Sequence, residues 1–184
     1  MGQIAGDAIR ARVGLLLFCV ATLSTATTLA QNSTPAEATP GTPWLDPTIR
    51  LLLHAIERLS DYRASEALPP VYQLPQRALE AKVCNEPCNV SAAYVPREGI
   101  YLAENLDPIH DPADRAALLH ELVHYLQQGH PKFKHMAPCE RERTKEQEAY
   151  AIQNAYLEQI GSEQRAVFYD GEFDCEEAHS SSSP

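Results

Sequence analysis

The chain has 184 residues, with 15 Lys and Arg against 25 Asp and Glu, a formal net charge of −10 at pH 7 and 44 % hydrophobic residues. That balance argues against nucleic acid and anionic lipid as partners. The length suits one domain with a real but small core.

Residues 1–30 read as a secretory signal peptide, with Arg10 and Arg12 in a positive leader and an apolar run from Val13 to Leu23. The run is too short for a comfortable membrane span, and Thr28-Leu29-Ala30 offers a small-residue cleavage site. Removing it leaves 13 basic and 24 acidic side chains, a net of −11, and no stable membrane association. Residues 31–43 are Thr-, Pro- and Ala-rich and read as a disordered linker. Residues 179–184 read as a disordered tail. The domain is expected over 44–178.

Trp44 to Ser60 predicts an amphipathic helix, capped by Asp46, opened by Pro47, with Ile49, Leu52, Leu53 and Ile56 on its buried stripe. Val71 to Leu74, between Pro70 and Pro75, predicts a short edge strand. Gln76 to Lys82 predicts a helical turn. Asn89 to Tyr94 and Ile100 to Ala103 predict two strands joined at Pro96-Arg97-Glu98-Gly99. Four cysteines remain after residue 30, and an even number in an exported chain suggests two disulfides. Of three connectivities, the expected one is Cys84–Cys88 with Cys139–Cys175; a structural zinc site on the cysteines is the less favoured reading.

The next helix carries the chemistry. Asp111-Pro112 is a helix start, and Leu119, Leu122, Val123 and Leu126 form its core stripe. Gly129 and Pro131 end it. Within it stands His120-Glu121-Leu122-Val123-His124, an H-E-x-x-H motif. A chance match occurs in about one such chain in forty, so the helical context decides. Positions i and i+4 lie one above the other, so both imidazoles converge on one spot suited to zinc. Glu121 beside them can take a proton from the attacking water. His120, His124 and Gln127 share a face next to the core stripe.

A catalytic zinc site needs a third protein ligand. His130 lies ten residues after His120, but Gln127 stands where a metzincin pattern needs Gly. Glu146 lies in Thr144-Lys145-Glu146-Gln147-Glu148-Ala149-Tyr150, where Thr144 and Gln147 suggest a capping box opening a new helix. Glu148 is the third candidate; it lies 200° from Glu146 on a helix, so at most one of the two faces the metal. Ala166 to Tyr169 predicts a final short element.

The Glu146 stretch resembles the E-x-x-A-[D/N] element of gluzincin metallopeptidases. With H-E-x-x-H it makes about residues 84–160 similar to a small exported zincin, and also to a bacterial family of unknown function carrying H-E-L-V-H and E-x-E-A-Y. Tyr150 stands where the clan usually has Asp or Asn, so steadying a ligand His falls to Tyr150 or Gln153. The resemblance implies an α+β fold with a short antiparallel hairpin packed on the His helix and an antiparallel Glu helix beside it. It implies zinc held by His120, His124 and Glu146, with Glu121 as general base for peptide hydrolysis. It assigns Gly99 to Ala103 to the rim of the cleft, where a peptide or protein substrate pairs. The oxyanion donor is expected among Tyr101, His130, His135, Tyr150 and Tyr156. Two further readings remain: an exported non-catalytic zinc-binding interaction domain, and an amidase acting on cell-wall peptides. Localisation in all three is periplasmic or extracellular.

Overall fold

Two prolines and a run of apolar residues set the first element. A 3₁₀ turn, Pro43–Leu45, leads into α1, Asp46–Leu59, which buries Ile49, Leu52, Leu53 and Ile56 as its periodicity requires. Asp46 makes no side-chain cap; it stands inside the first turn and Leu45 precedes it as the boundary residue. The computed structural model describes residues 41–84, 88–170, Phe173 and Cys175. The segments 1–30 and 179–184 lie outside the described residues, as does residues 31–40 of the expected linker. Its last residues do not behave as a linker: Thr42 donates both its amide and its hydroxyl to Val71 O, at 2.9 and 3.1 Å.

The fold is α+β. After α1 come β1 (Val71–Leu74), α2 (Gln76–Val83), β2 (Ala92–Val95), β3 (Gly99–Ala103), α3 (Pro112–Gln127), a 3₁₀ turn at Pro131–Phe133, and α4 (Pro138–Gln159). Among the described residues no helix is long and apolar enough to cross a membrane.

The expected antiparallel hairpin is present as β2 and β3, but β1 joins it to make a mixed sheet. It has three strands in the order β1-β3-β2, with β2 antiparallel and β1 parallel to β3. β1 is an edge strand, as its flanking prolines predict. β3 is not a rim: it lies between the other two, and every residue from Gly99 to Ala103 is buried. The reason is in its side chains. Ile100 and Leu102 face the large core formed with α1, α3 and α4, while Tyr101 and Ala103 face a small one with Leu74 and Leu79 of α2. A strand apolar on both faces belongs inside a covered sheet. The exposed edge beside α3 is therefore β2.

The β2–β3 turn has Pro96 at its second position and Arg97 at φ 70°, closed by Glu98 N to Val95 O at 3.1 Å, the pattern of a type II turn. Gly99, at φ 134°, sits so close to Pro70 that a Cβ would overlap its carbonyl.

α3 starts as expected: Asp111 Oδ1 accepts from the amides of Ala113 (2.7 Å) and Asp114 (3.2 Å). Leu119, Leu122 and Val123 are fully buried, and Leu126 packs partly against them. Gly129 in the left-handed region, φ 72°, follows its end. α4 begins six residues before the expected capping box. Pro138 occupies its first turn, and Thr144 bonds back to Glu140 O at 2.8 Å inside the helix. Ala166 to Tyr169 forms no regular element; Ala166 instead exchanges two hydrogen bonds with the Asn154 side chain. Both expected disulfides, Cys84–Cys88 and Cys139–Cys175, are present.

Candidate metal centre

α3 and α4 run antiparallel: Gln127 meets Lys145, His124 meets Glu146, and His120 reaches on to Gln153. Ala149, fully buried between larger side chains, lets the helices approach. The two His Nε2 atoms are 3.0 Å apart. Glu146 Oε2 lies 3.3 Å from His120 Nε2, and Oε1 lies 3.2 Å from His124 Nε2.

These separations fit an ion. Ligand atoms about 2.0–2.1 Å from a tetrahedral centre lie roughly 3.3–3.4 Å apart, close to all three spacings. Among the described residues His120, His124 and Glu146 form a group that could hold a metal ion. His130 is not in it: its Nδ1 accepts from Lys132 N at 3.4 Å and its ring packs edge-on to Tyr62. Nor is Glu148, whose Oε2 takes the Tyr62 hydroxyl at 2.6 Å and Lys132 Nζ at 2.7 Å.

The far nitrogens of both imidazoles are held as well. His120 Nδ1 lies 3.1 Å from Gln153 Oε1, one of the two partners expected there, while the Tyr150 ring packs edge-on to the same imidazole at 4.6 Å. His124 Nδ1 lies 2.9 Å from Gln127 Oε1. Gln127 Nε2 donates to Lys145 O at 2.9 Å, and a carbonyl can only accept, so the amide oxygen must face the histidine. His124 then carries its hydrogen on Nδ1, with the Nε2 lone pair turned towards the centre. Sequence reasoning put Gln127 on the correct face but gave it no role. The signal was its i+3 spacing from His124.

The charges respond to this packing. Burial alone would raise the Glu146 carboxyl, but its bonds to His120 and His124 hold it well below the usual carboxylate range. Burial acts to lower the His124 imidazole, yet Glu146 and Glu121 outweigh it and its pKa is raised. Glu121 is buried, and burial pushes its carboxyl up, countered in part by the two imidazoles and the Tyr94 amide.

That amide was missed by sequence reasoning. Tyr94 N donates to Glu121 Oε2 at 2.7 Å. Ser91 O accepts from Ala103, so the backbone N–H and C=O groups of Ser91, Ala93 and Val95 point to β3 while those of Ala92 and Tyr94 point away from it. The outer edge of β2 thus borders the site. One cleft, lined by Ala92 to Tyr94, Pro96, His120, Glu121, His124, Gln128 and Glu146, lies along it; a second, from Asn89 to Ala92, continues past His120, Tyr150 and Gln153.

Of the five expected oxyanion donors, Tyr150 is the one that lines these clefts. Tyr101 hydroxyl bonds to Glu98, Tyr156 is buried in the core, and His135 is exposed.

The family model described as a domain of unknown function, DUF6647, matches residues 46–169. The chain belongs to this family. The DUF6647 match covers α1 through α4, so the sheet and the whole His–His–Glu group lie inside it. No curated protein and no solved structure matches the chain.

Proposed function

We propose that this DUF6647 protein is an exported zinc peptidase of the gluzincin type, on a zincin-like domain, hydrolysing peptide bonds with Glu121 as general base. The observation that carries the reading is the placement of Glu121. It is buried beside the His–His–Glu group, one carboxylate oxygen is fastened to the edge of β2, and it lines the cleft. A site that merely holds an ion has no need of that carboxylate.

Two imidazoles and one carboxylate match the donor set of catalytic zinc sites. A bound zinc ion supplies Lewis-acid polarisation of a carbonyl and lowers the pKa of water. Glu121 takes a proton from the attacking water and delivers it to the departing amine as the C–O bond forms and the C–N bond breaks. Its raised pKa suits a group that must hold the proton between those steps. Tyr94 N–H keeps the second oxygen aimed while this happens. An extended peptide pairs with the outward groups of β2, by strand addition, rather than with β3. The two disulfides support an exported site of action.

The test is Glu121→Gln in the mature chain, assayed on unstructured proteins and on peptidoglycan peptides. It should keep about one zinc per chain and lose about 10²–10⁴-fold in turnover. Full activity in that variant, or no metal in wild type after zinc is supplied, would sink the reading.

A further inference from the structure

We infer that the groove beside the metal cleft is a subsite for a carboxylate of the peptide ligand. It opens between the α3–α4 connection and the first turns of α4, floored by Phe133 and bordered by Lys134, Arg141 and Lys145. It shares Gln128, Glu142 and Lys145 with the cleft that holds His124 and Glu146, so one bound peptide can reach both.

The charge is the argument. The chain as a whole carries −10, yet three cations gather at this mouth against the single carboxylate of Glu142. That carboxylate is already engaged: Lys145 Nζ lies 3.0 Å from its Oε1 and Arg141 Nε 3.3 Å from the same atom. Lys134 is exposed, and its ammonium adds a second positive charge beyond what Glu142 offsets. Phe133 is 3 % exposed and lies under Lys145, whose ammonium is 5.8 Å from the ring centre. An apolar floor raises the value of a charge-assisted hydrogen bond above it. A local reversal of sign on an acidic protein draws anionic groups. Arg141 and Lys145 can each supply N–H donors to a carboxylate, which would exchange partners with Glu142.

The inference rests on the peptidase reading for the kind of ligand only; the groove's charge does not depend on hydrolysis. The chemistry is shared by an acidic side chain and a free C-terminal carboxylate, and the test separates them. Equilibrium binding is measured with the zinc-loaded Glu121→Gln protein, so turnover does not interfere, and again with chelator present. The probes are short acetylated peptides of one sequence: Glu with an amidated end, Gln with a free end, and Gln with an amidated end. We expect at least one anionic probe to bind about tenfold tighter than the neutral one. Which probe gains names the source. Arg141→Gln, and separately Lys145→Gln, should erase most of that preference while leaving zinc content unchanged. Lys82→Gln, outside the groove, should leave the preference intact. Equal binding of all three probes, or a preference that survives both groove variants, overturns the subsite. A clear preference in a wild-type protein that cuts nothing would overturn the hydrolysis reading alone.

Discussion

His124 Nδ1 and the amide oxygen of Gln127 are 2.9 Å apart on one helix, and the other end of that amide bonds to the residue before Glu146. One side chain therefore orients a candidate ligand on α3 and registers the candidate ligand on α4. Gln127 is 1 % exposed, so neither bond can be replaced by bulk water.

Gln127→Ala should weaken zinc binding about 10–100-fold, through loss of ligand orientation, and cost about 0.5–1.5 kcal/mol through the lost bond to Lys145 O. Competition with a chromophoric chelator reads the first effect and urea unfolding of the metal-free protein reads the second. Unchanged affinity would remove Gln127 from the site.

The three candidate third ligands separate by metal content. Glu146→Ala should lose bound zinc, whereas His130→Ala and Glu148→Ala should keep it. Glu148→Ala instead leaves the buried Tyr62 hydroxyl without its acceptor and Lys132 without its carboxylate. The expected loss is about 1–3 kcal/mol of stability. Elemental analysis with thermal unfolding of each variant checks both halves.

Stability against pH should change sign with metal. In the metal-free protein the raised His124 pKa contributes stability present below the ordinary imidazole value, about 6.5, and lost as pH rises through the folded value. The depressed Glu146 pKa contributes stability present above the ordinary carboxylate value and lost as pH falls through its folded one. Glu121, raised by burial, adds to the fall in stability as pH rises above the carboxylate range. Chelated protein should therefore weaken between about pH 6 and pH 8, and Glu146→Gln should flatten that slope. Zinc-loaded protein should not weaken there, because the ion competes with the imidazole protons. Urea midpoints at the two pH values, with and without chelator, decide it.

The disulfides should differ in weight. Cys139–Cys175 spans 36 residues and Cys84–Cys88 spans 4. Loop-closure entropy puts their removal at about 4 and about 2 kcal/mol respectively. Double alanine variants of each pair, unfolded in urea, should show that order; the reverse order would mean that native packing around residues 84–88 dominates.

Much of this was legible, and for physical reasons. The α3 cap, core stripe and both histidines lie within 16 residues from Asp111 to Leu126, so local periodicity carries them. Glu146 was reachable because Ala149 marks the close approach of two helices. The place of β3 was not, because it depends on a parallel pairing between Val71 and Ile100, far apart in the chain. The clue was the continuous apolar run from Ile100 to Ala103, which fits a doubly covered strand better than a rim. The start of α4 was misread because Thr144 and Gln147 imitate a cap, while Pro138 in the first turn was the stronger mark.

The bond from Gln127 to Lys145 O also bears on the order in which the molecule matures. It joins α3 to α4 through protein atoms alone, alongside the buried contact at Ala149. Protein contacts alone thus bring the two halves of the candidate metal centre together. On the proposed reading, the chain would fold and close its disulfides first and take up metal afterwards. On that reading, loading would be a late step that adds resistance to unfolding.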